Sequence, residues 1–333
     1  MSDNPLSGYI RTPKIYVRLP SNGRFNKEKI VFTANNEIPV RATTIRDDLI
    51  LKNPDALLNG DATEQVLKSC VPEITNLKET PVNDIDVLLL AIQYASHGDN
   101  FEFKTTCPKC EQLNTYNFSI RSMIEAATEI PEINSVTFTE GDAEITVIVK
   151  PYSYESNTKA SLVELDSQKR MKYIKSIYSS NFGKKFDNEL ERLQNNEEAE
   201  KLISQQLSEA YDSMAKLSTM LMLESVIQIN IKKENGTPII VTNKEHIAEY
   251  VVNLTSDKNS LIKEKIDEIM TYGLNKKPSL TCTSVISESI VDPETNESKT
   301  VEHVCGHVWQ KEEVGYDQSN FFVSSLVSRK EKK

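Results

Sequence analysis

Cys107 and Cys110, in the stretch FEFKTTCPKCEQLN, are the residues of this chain best spaced for chemistry. A Cys-x-x-Cys turn offers two thiolates to one metal ion, whereas tetrahedral zinc takes four ligands. Of the other three cysteines, Cys70 sits beside Val66 and Leu67 in a helical pattern and reads as a core thiol, the usual fate of free cysteine. Cys282 and Cys305 remain, flanking two strand-like halves around Asp292-Pro293-Glu294-Thr295. In a β-hairpin that turns between Pro293 and Glu294 these two are directly opposed, with Cβ atoms about 4.5–5.5 Å apart. The candidate site is therefore Cys107, Cys110, Cys282 and Cys305, a zinc ribbon with 171 residues between its second and third ligands.

Four thiolates close the coordination shell, so the expected Zn2+ is structural, and its binding is coupled to folding. Two readings compete with it: a CPKC turn without metal, and a redox pair. A redox Cys-x-x-Cys follows a strand and opens a helix, whereas strand-like residues lie on both sides of this one. His307, in CGHVW, is the substitute ligand should a distal cysteine be out of reach; otherwise it is an outer or surface histidine. His97, His246 and His303 read as capping or surface residues.

The elements that must position the cysteines follow from periodicity. Ile15, Val17 and Leu19 alternate with polar neighbours before a Pro20-Ser21-Asn22-Gly23 turn, and short extended pieces are expected over 29–33 and 38–41. Helices are expected from a Thr43 or Thr44 cap to Leu51, from an Asp61 cap to Cys70, and from Asp84 to Ser96. Tyr116 and Phe118 form the return strand after CPKC, and a short helix follows near Arg121–Ala127. SVTFT and EITVIVK, around Glu140-Gly141-Asp142, read as a hairpin, as do Val226–Ile231 and Pro238–Val241 around Asn235-Gly236. Two helices close the inner region, one capped by Thr242 and one starting at Ser256 or Asp257.

Residues 156–224 are helical in pattern. Ile203, Leu207, Ala210, Met214, Leu217 and Leu221 step by four and three, an a/d seam that serves either a partner helix or the helix's own domain. The fold class is α+β: a mixed N-terminal region (1–120) with the first knuckle, an inserted, mainly helical region (121–278) with hairpins, and a second zinc-binding hairpin with a C-terminal helix (279–333).

Composition narrows function by exclusion. A formal charge of −10 disfavours a nucleic-acid backbone as partner, because such binding draws on excess Lys and Arg. The N-terminus lacks the apolar segment of a signal peptide, and no stretch has the roughly 18 apolar residues of a membrane helix. The expected compartment is a cytoplasm, where cysteines stay reduced or bind metal. No phosphate-binding loop, dinucleotide fingerprint, HExxH or GxSxG motif is present, so no enzyme is indicated.

Three phrases go further. NPLSGYIRTPKIYVRLPSNG (4–23), TTIRDDLILKNPDALLNGDATEQVLKSCVPEI (43–74) and DIDVLLLAIQYASHGDNFEF (84–103), followed by CPKC, resemble the baseplate family of T-even-like contractile-tailed bacteriophages, usually described as a baseplate hub subunit. The resemblance covers about the first 120 residues. It implies a non-enzymatic virion-assembly protein, made in the host cytoplasm and destined for the tail baseplate, with other hub and tail proteins as partners. The alternative is a tail-assembly chaperone, for example for the tape-measure protein, which leaves before the virion matures. A zinc-ribbon nucleic-acid binder ranks third. The terminal SNFFVSSLVS, with Phe321, Phe322 and Leu326, is expected to form a short partner-docking helix.

Overall fold

The structure is a computed structural model that describes residues 11–26, 29–52, 60–182, 189–233, 236–275, 277–291 and 298–310. The expected C-terminal helix lies outside these residues. The architecture is α+β, organised around two apolar cores and a cysteine cluster.

The first core forms around one helix. Strands β1 (Ile15–Val17) and β2 (Ile38–Val40) pair antiparallel, with Val17 opposite Ile38. Helix α1 (Ile45–Ile50) starts at a capping box in which the Thr44 side chain accepts from the Asp47 N–H and Asp47 caps Thr44 in return. Helix α2 (Asp61–Cys70) takes Gly60, not Asp61, as its cap. Gly60 has φ +79, and a Cβ there would lie 2.9 Å from Thr158, so this position requires glycine on two counts. Helix α3 (Val82–His97) lies in the middle, and every residue from Val82 to Ile92 is buried. Such burial suits Ile85, Leu88, Leu89 and Ile92 but forces Asn83, Asp84 and Asp86 inside as well.

These polar residues fasten the surroundings. Asp84 accepts hydrogen bonds from the Ser21 N–H at 2.8 Å and from the Ser21 hydroxyl, pinning the Pro20–Gly23 turn to α3. Asn83 donates to the carbonyls of Ile269 (3.2 Å) and Tyr272 (2.8 Å), tying α3 to the second core. Residues 29–33 carry an isolated bridge between Ile30 and Ile74 where a strand was expected.

The second core lies beneath an antiparallel sheet of β5 (Ser135–Glu140), β6 (Ala143–Val149), β7 (Val226–Lys233) and β8 (Ile239–Val241), in that spatial order. Strand β6 alternates as period two requires: Ala143, Ile145, Val147 and Val149 face inward. They meet Ile247 and Val251 of α7 (Lys244–Val252) and Ile262, Ile266 and Ile269 of α8 (Ser256–Met270). The cap of α7 is Asn243, whose side chain accepts from the N–H groups of Glu245 and His246, rather than Thr242. A helix α4 (Ile120–Glu125) follows the first knuckle.

Between the neighbouring strands β6 and β7 the chain runs out and back along α5 (Tyr154–Phe182) and α6 (Glu189–Ser225). The pair is antiparallel: Ser156 bonds Glu224 near the base, and Arg170 reaches Gln206 and Glu209 farther out. At about 1.5 Å per residue, the two helices span roughly 44 and 56 Å. Tyr154 roots the pair in the first core, donating its hydroxyl to the Gly60 carbonyl at 2.8 Å.

The expected seam on α6 is covered at all but one of its positions. Of the expected positions, Ile203, Leu207, Ala210, Leu217 and Leu221 are buried or partly buried, as are Ala199, Gln206 and Ser213. Met214, expected inside, is 50% exposed. Polar Gln206 and Glu209 are also partly covered, where Arg170 bonds both.

Candidate metal centre

The first half of the site grows from a hairpin. Strands β3 (Asn100–Thr106) and β4 (Leu113–Ser119) pair in register, Asn100 opposite Ser119 and Thr106 opposite Leu113. Their connection is the CPKC knuckle, closed by the Cys107 N–H donating to Gln112 O (3.0 Å) and the Glu111 N–H donating to Cys107 O (2.9 Å). Glu111 adopts φ 58, a left-handed turn that folds the chain back under the second cysteine.

The second half is built differently. Strand β10 (Val285–Val291) pairs with β11 (Ser298–Val304), and β9 (Ser279–Thr281) with β12 (Val308–Gln310). The register sets Val285 opposite Val304 and Thr281 opposite Val308. Cys282 therefore stands opposite His307, and Cys305 opposite Ser284, two positions away from the direct opposition expected from a turn between Pro293 and Glu294. Both cysteines fall in the gap between the two ladders, where the Cys282 N–H donates to His307 O (2.9 Å) and the Cys305 N–H to Ser284 O (2.9 Å). Gly306, at φ 61, repeats after Cys305 the left-handed turn that Glu111 makes after Cys110.

These two halves bring the four sulfurs of Cys107, Cys110, Cys282 and Cys305 within 4.8 Å of one another. The Cys110–Cys282 separation is 3.5 Å. Tetrahedral zinc with bonds of about 2.3 Å sets its sulfurs roughly 3.8 Å apart, so the cluster has the scale of a metal site. All four are free thiols rather than disulfides. Cys107, Cys282 and Cys305 are buried, and Ile286 and Trp309 pack against them.

The electrostatics ask for a cation. Burial raises the Cys282 thiol, but the Ser284 N–H, Cys110, the Ser284 hydroxyl and Asn114 bring it down to about 6. Gln112 N–H pulls Cys110 down, yet desolvation and the neighbouring cysteines push it up to about 12. The Cys282 thiolate forms readily, and Cys110 beside it then resists ionising, because like charges this close repel. A soft divalent ion bound by all four removes that conflict.

Around the sulfurs, His307 stacks on Trp309 with ring centroids 5.9 Å apart, and Tyr116 meets Trp309 edge-on at 6.2 Å. His307 thus contributes a carbonyl and a ring face, and stands outside the four-residue group. Cys70 lies apart in the first core, where burial pushes its thiol up to about 12.

Asn114 was missed by sequence reasoning. At the start of β4 polarity and burial are at odds: apolar Leu113 is 65% exposed, while polar Asn114, on the inward side with Tyr116 and Phe118, is only 3% exposed and points at the cluster. An asparagine at the inward position of a strand beside a knuckle is the signal that could have found it.

The sequence profile of the family described as "T4 bacteriophage base plate protein" matches residues 12–294. The chain belongs to that family. The match extends well past the first 120 residues and covers the helix pair, the four-stranded sheet and three of the four cysteines; Cys305 lies beyond it. As a member of this base plate family, the protein is a phage baseplate structural component whose partners are other baseplate proteins. No curated protein and no solved structure matches the chain. Among the described residues, no helix is long and apolar enough to cross a membrane.

Proposed function

We propose that this baseplate protein is a hub subunit, or a hub-assembly component, of a contractile phage tail, without enzymatic activity and held in shape by one structural zinc ion. Membership of the base plate family over 12–294 carries the reading. In it, the protein is made in the host cytoplasm, joins other hub and tail proteins, and stays in the virion. The chain divides at about residues 120 and 278, with Cys107, Cys110, Cys282 and Cys305 as the metal ligands that clip its last part onto its first.

The competing reading is an assembly chaperone that shields a tail protein such as the tape-measure protein and then departs. The exposed apolar residues of the helix pair, Tyr173, Tyr211 and Met214 among them, favour it, because a surface that shields another chain must itself be apolar. Mass spectrometry of purified virions decides between the two. Stoichiometric presence supports the hub subunit, and absence from the mature particle overturns it.

The metal is tested separately. Protein purified without chelators is expected to carry one zinc per chain by elemental analysis. Cys110→Ser is expected to release it and to lower the melting temperature, because the sulfurs then repel without a shared cation. Zinc-free wild-type protein of undiminished stability would refute the structural role.

A further inference from the structure

Asn114 does more than fill space beside the sulfurs. Its Nδ2 donates to Gln112 O at 3.0 Å and to Cys282 Sγ at 3.4 Å. Its Oδ1 accepts from the Thr283 N–H at 3.1 Å, from the Thr283 hydroxyl at 3.3 Å and from the Ser284 hydroxyl at 3.1 Å. The amide orientation is over-determined, since flipping it would set a donor against the Thr283 N–H and an acceptor against the Gln112 carbonyl. One buried side chain therefore joins the loop after the first knuckle to residues 282–284 of the second half.

The two cysteine pairs differ in how they are held. Cys107 and Cys110 share one tight turn closed by two backbone hydrogen bonds. Cys282 and Cys305 are separated by 22 residues and rely on the gap between two short ladders. Residues 282–284 need a second anchor, and Asn114 is placed to provide it from the opposite hairpin.

On the reading that the four cysteines bind zinc, we infer that Asn114 is the positioning residue of the site: it orients Cys282 and donates an N–H to its thiolate. A four-thiolate zinc centre carries net negative charge in a buried setting, and a donor aimed at one sulfur disperses part of it. Hydrogen-bond partners of ligands typically hold 10- to 100-fold in metal affinity. Aspartate at this position keeps the acceptor for Thr283 and Ser284, removes both donated bonds and places a negative charge beside the thiolate.

The test uses the full chain. Zinc affinity is measured by competition with a chromophoric chelator, and the thiolate-to-metal charge-transfer band is followed after Co2+ substitution. Asn114→Asp is expected to weaken zinc binding by about 10- to 100-fold and to shift that band, because the donor to Cys282 is gone. Tyr116→Phe is the neighbouring control. It loses a bond from its hydroxyl to Thr281 O, at 3.1 Å, that touches no sulfur, and its affinity should change by less than about threefold. If Asn114→Asp fails to fold, Asn114→Ala carries the same test, with a smaller loss expected.

The outcomes separate cleanly. A wild-type chain that takes up no zinc overturns the metal reading itself. A wild-type chain that binds zinc, with the Asn114 variants within threefold of it and their charge-transfer band unmoved, overturns only the role of Asn114.

Discussion

Helix α3 and helix α6 pass through opposite environments. Over 11 consecutive residues α3 shows no exposed face, while α6, at 37 residues, buries only Ala199, Ala210 and Ser225 among its described side chains. Intrinsic propensity does not explain the difference, since the buried helix α3 carries the weaker helix formers Val82, Asn83, Asp84, Asp86 and Val87, while α6 is rich in Leu, Glu and Gln. What separates them is the partner. Helix α3 is enclosed by β1, β2, α2 and the α4 turn, so its stability is that of the fold. Over most of its length α6 meets α5 across a narrow line, and part of that line is Arg170 with Gln206 and Glu209. The centre of this molecule is thus a buried helix, and its longest element is a marginally packed pair that extends the surface.

Truncation at matched leucines gives the largest effect. Leu88 of α3 is fully buried, so Leu88→Ala is expected to cost about 2–5 kcal/mol through lost transfer energy and a cavity. Leu217 of α6 is half-buried, and Leu217→Ala is expected to cost about 1 kcal/mol or less. Denaturant titration of the two variants measures both. Equal losses would mean that the helix pair folds and unfolds with the core as one tightly packed unit, and the contrast would fail.

A second prediction concerns the charge hidden in α3. Burial pushes the Asp84 carboxyl up to about 7 from an ordinary 3.8, against the opposing pull of Ser21 and Arg24, and nearby Asp86 pushes in the same direction as burial. The folded state therefore holds this proton more tightly than the unfolded chain does. Its contribution to stability is fully present below the unfolded value and is lost as pH rises through about 7. Thermal melts between about pH 5 and pH 7 should show wild type losing stability with rising pH, and the loss should level off above that. Asp84→Asn, which keeps an acceptor for the Ser21 N–H but cannot ionise, should flatten that slope. An unchanged slope would place the titration elsewhere.

Much of this was legible in the residues themselves. Short-range signals worked where local chemistry decides: Thr44 at the start of α1, the Gly141-Asp142 hairpin, and the apolar face of β6. The four cysteines could be grouped by elimination, because Cys70 sits in an apolar helical stripe and the other four do not. Register was harder. The sequence places turn residues near Pro293, but which cysteine opposes which residue depends on a shift of two positions, and nothing local marks it. On α6 heptad spacing found most of the covered line and misplaced only Met214, because the partner helix decides which apolar residues stay covered. Asn114 escaped because its bonds reach residues 168 to 170 positions away. Such a contact exists only once the two halves of the ribbon have met.

The outer side of the helix pair offers the smallest expected effect and the finest test of the contrast. Tyr211 is 70% exposed, so its ring keeps most of its contact with water in the folded chain. Tyr211→Ser removes little buried area, and helix propensity changes little between the two residues, so the loss should stay within about 0.5 kcal/mol. Equilibrium unfolding at two protein concentrations is the measurement. A concentration-independent loss inside that bound places Tyr211 on a free face, as the fold describes it. A loss beyond 1 kcal/mol that grows with concentration would mean that copies of the chain cover this face in solution, and α6 would then resemble α3 after all: a helix stabilised by enclosure, with the enclosing surface supplied by another chain.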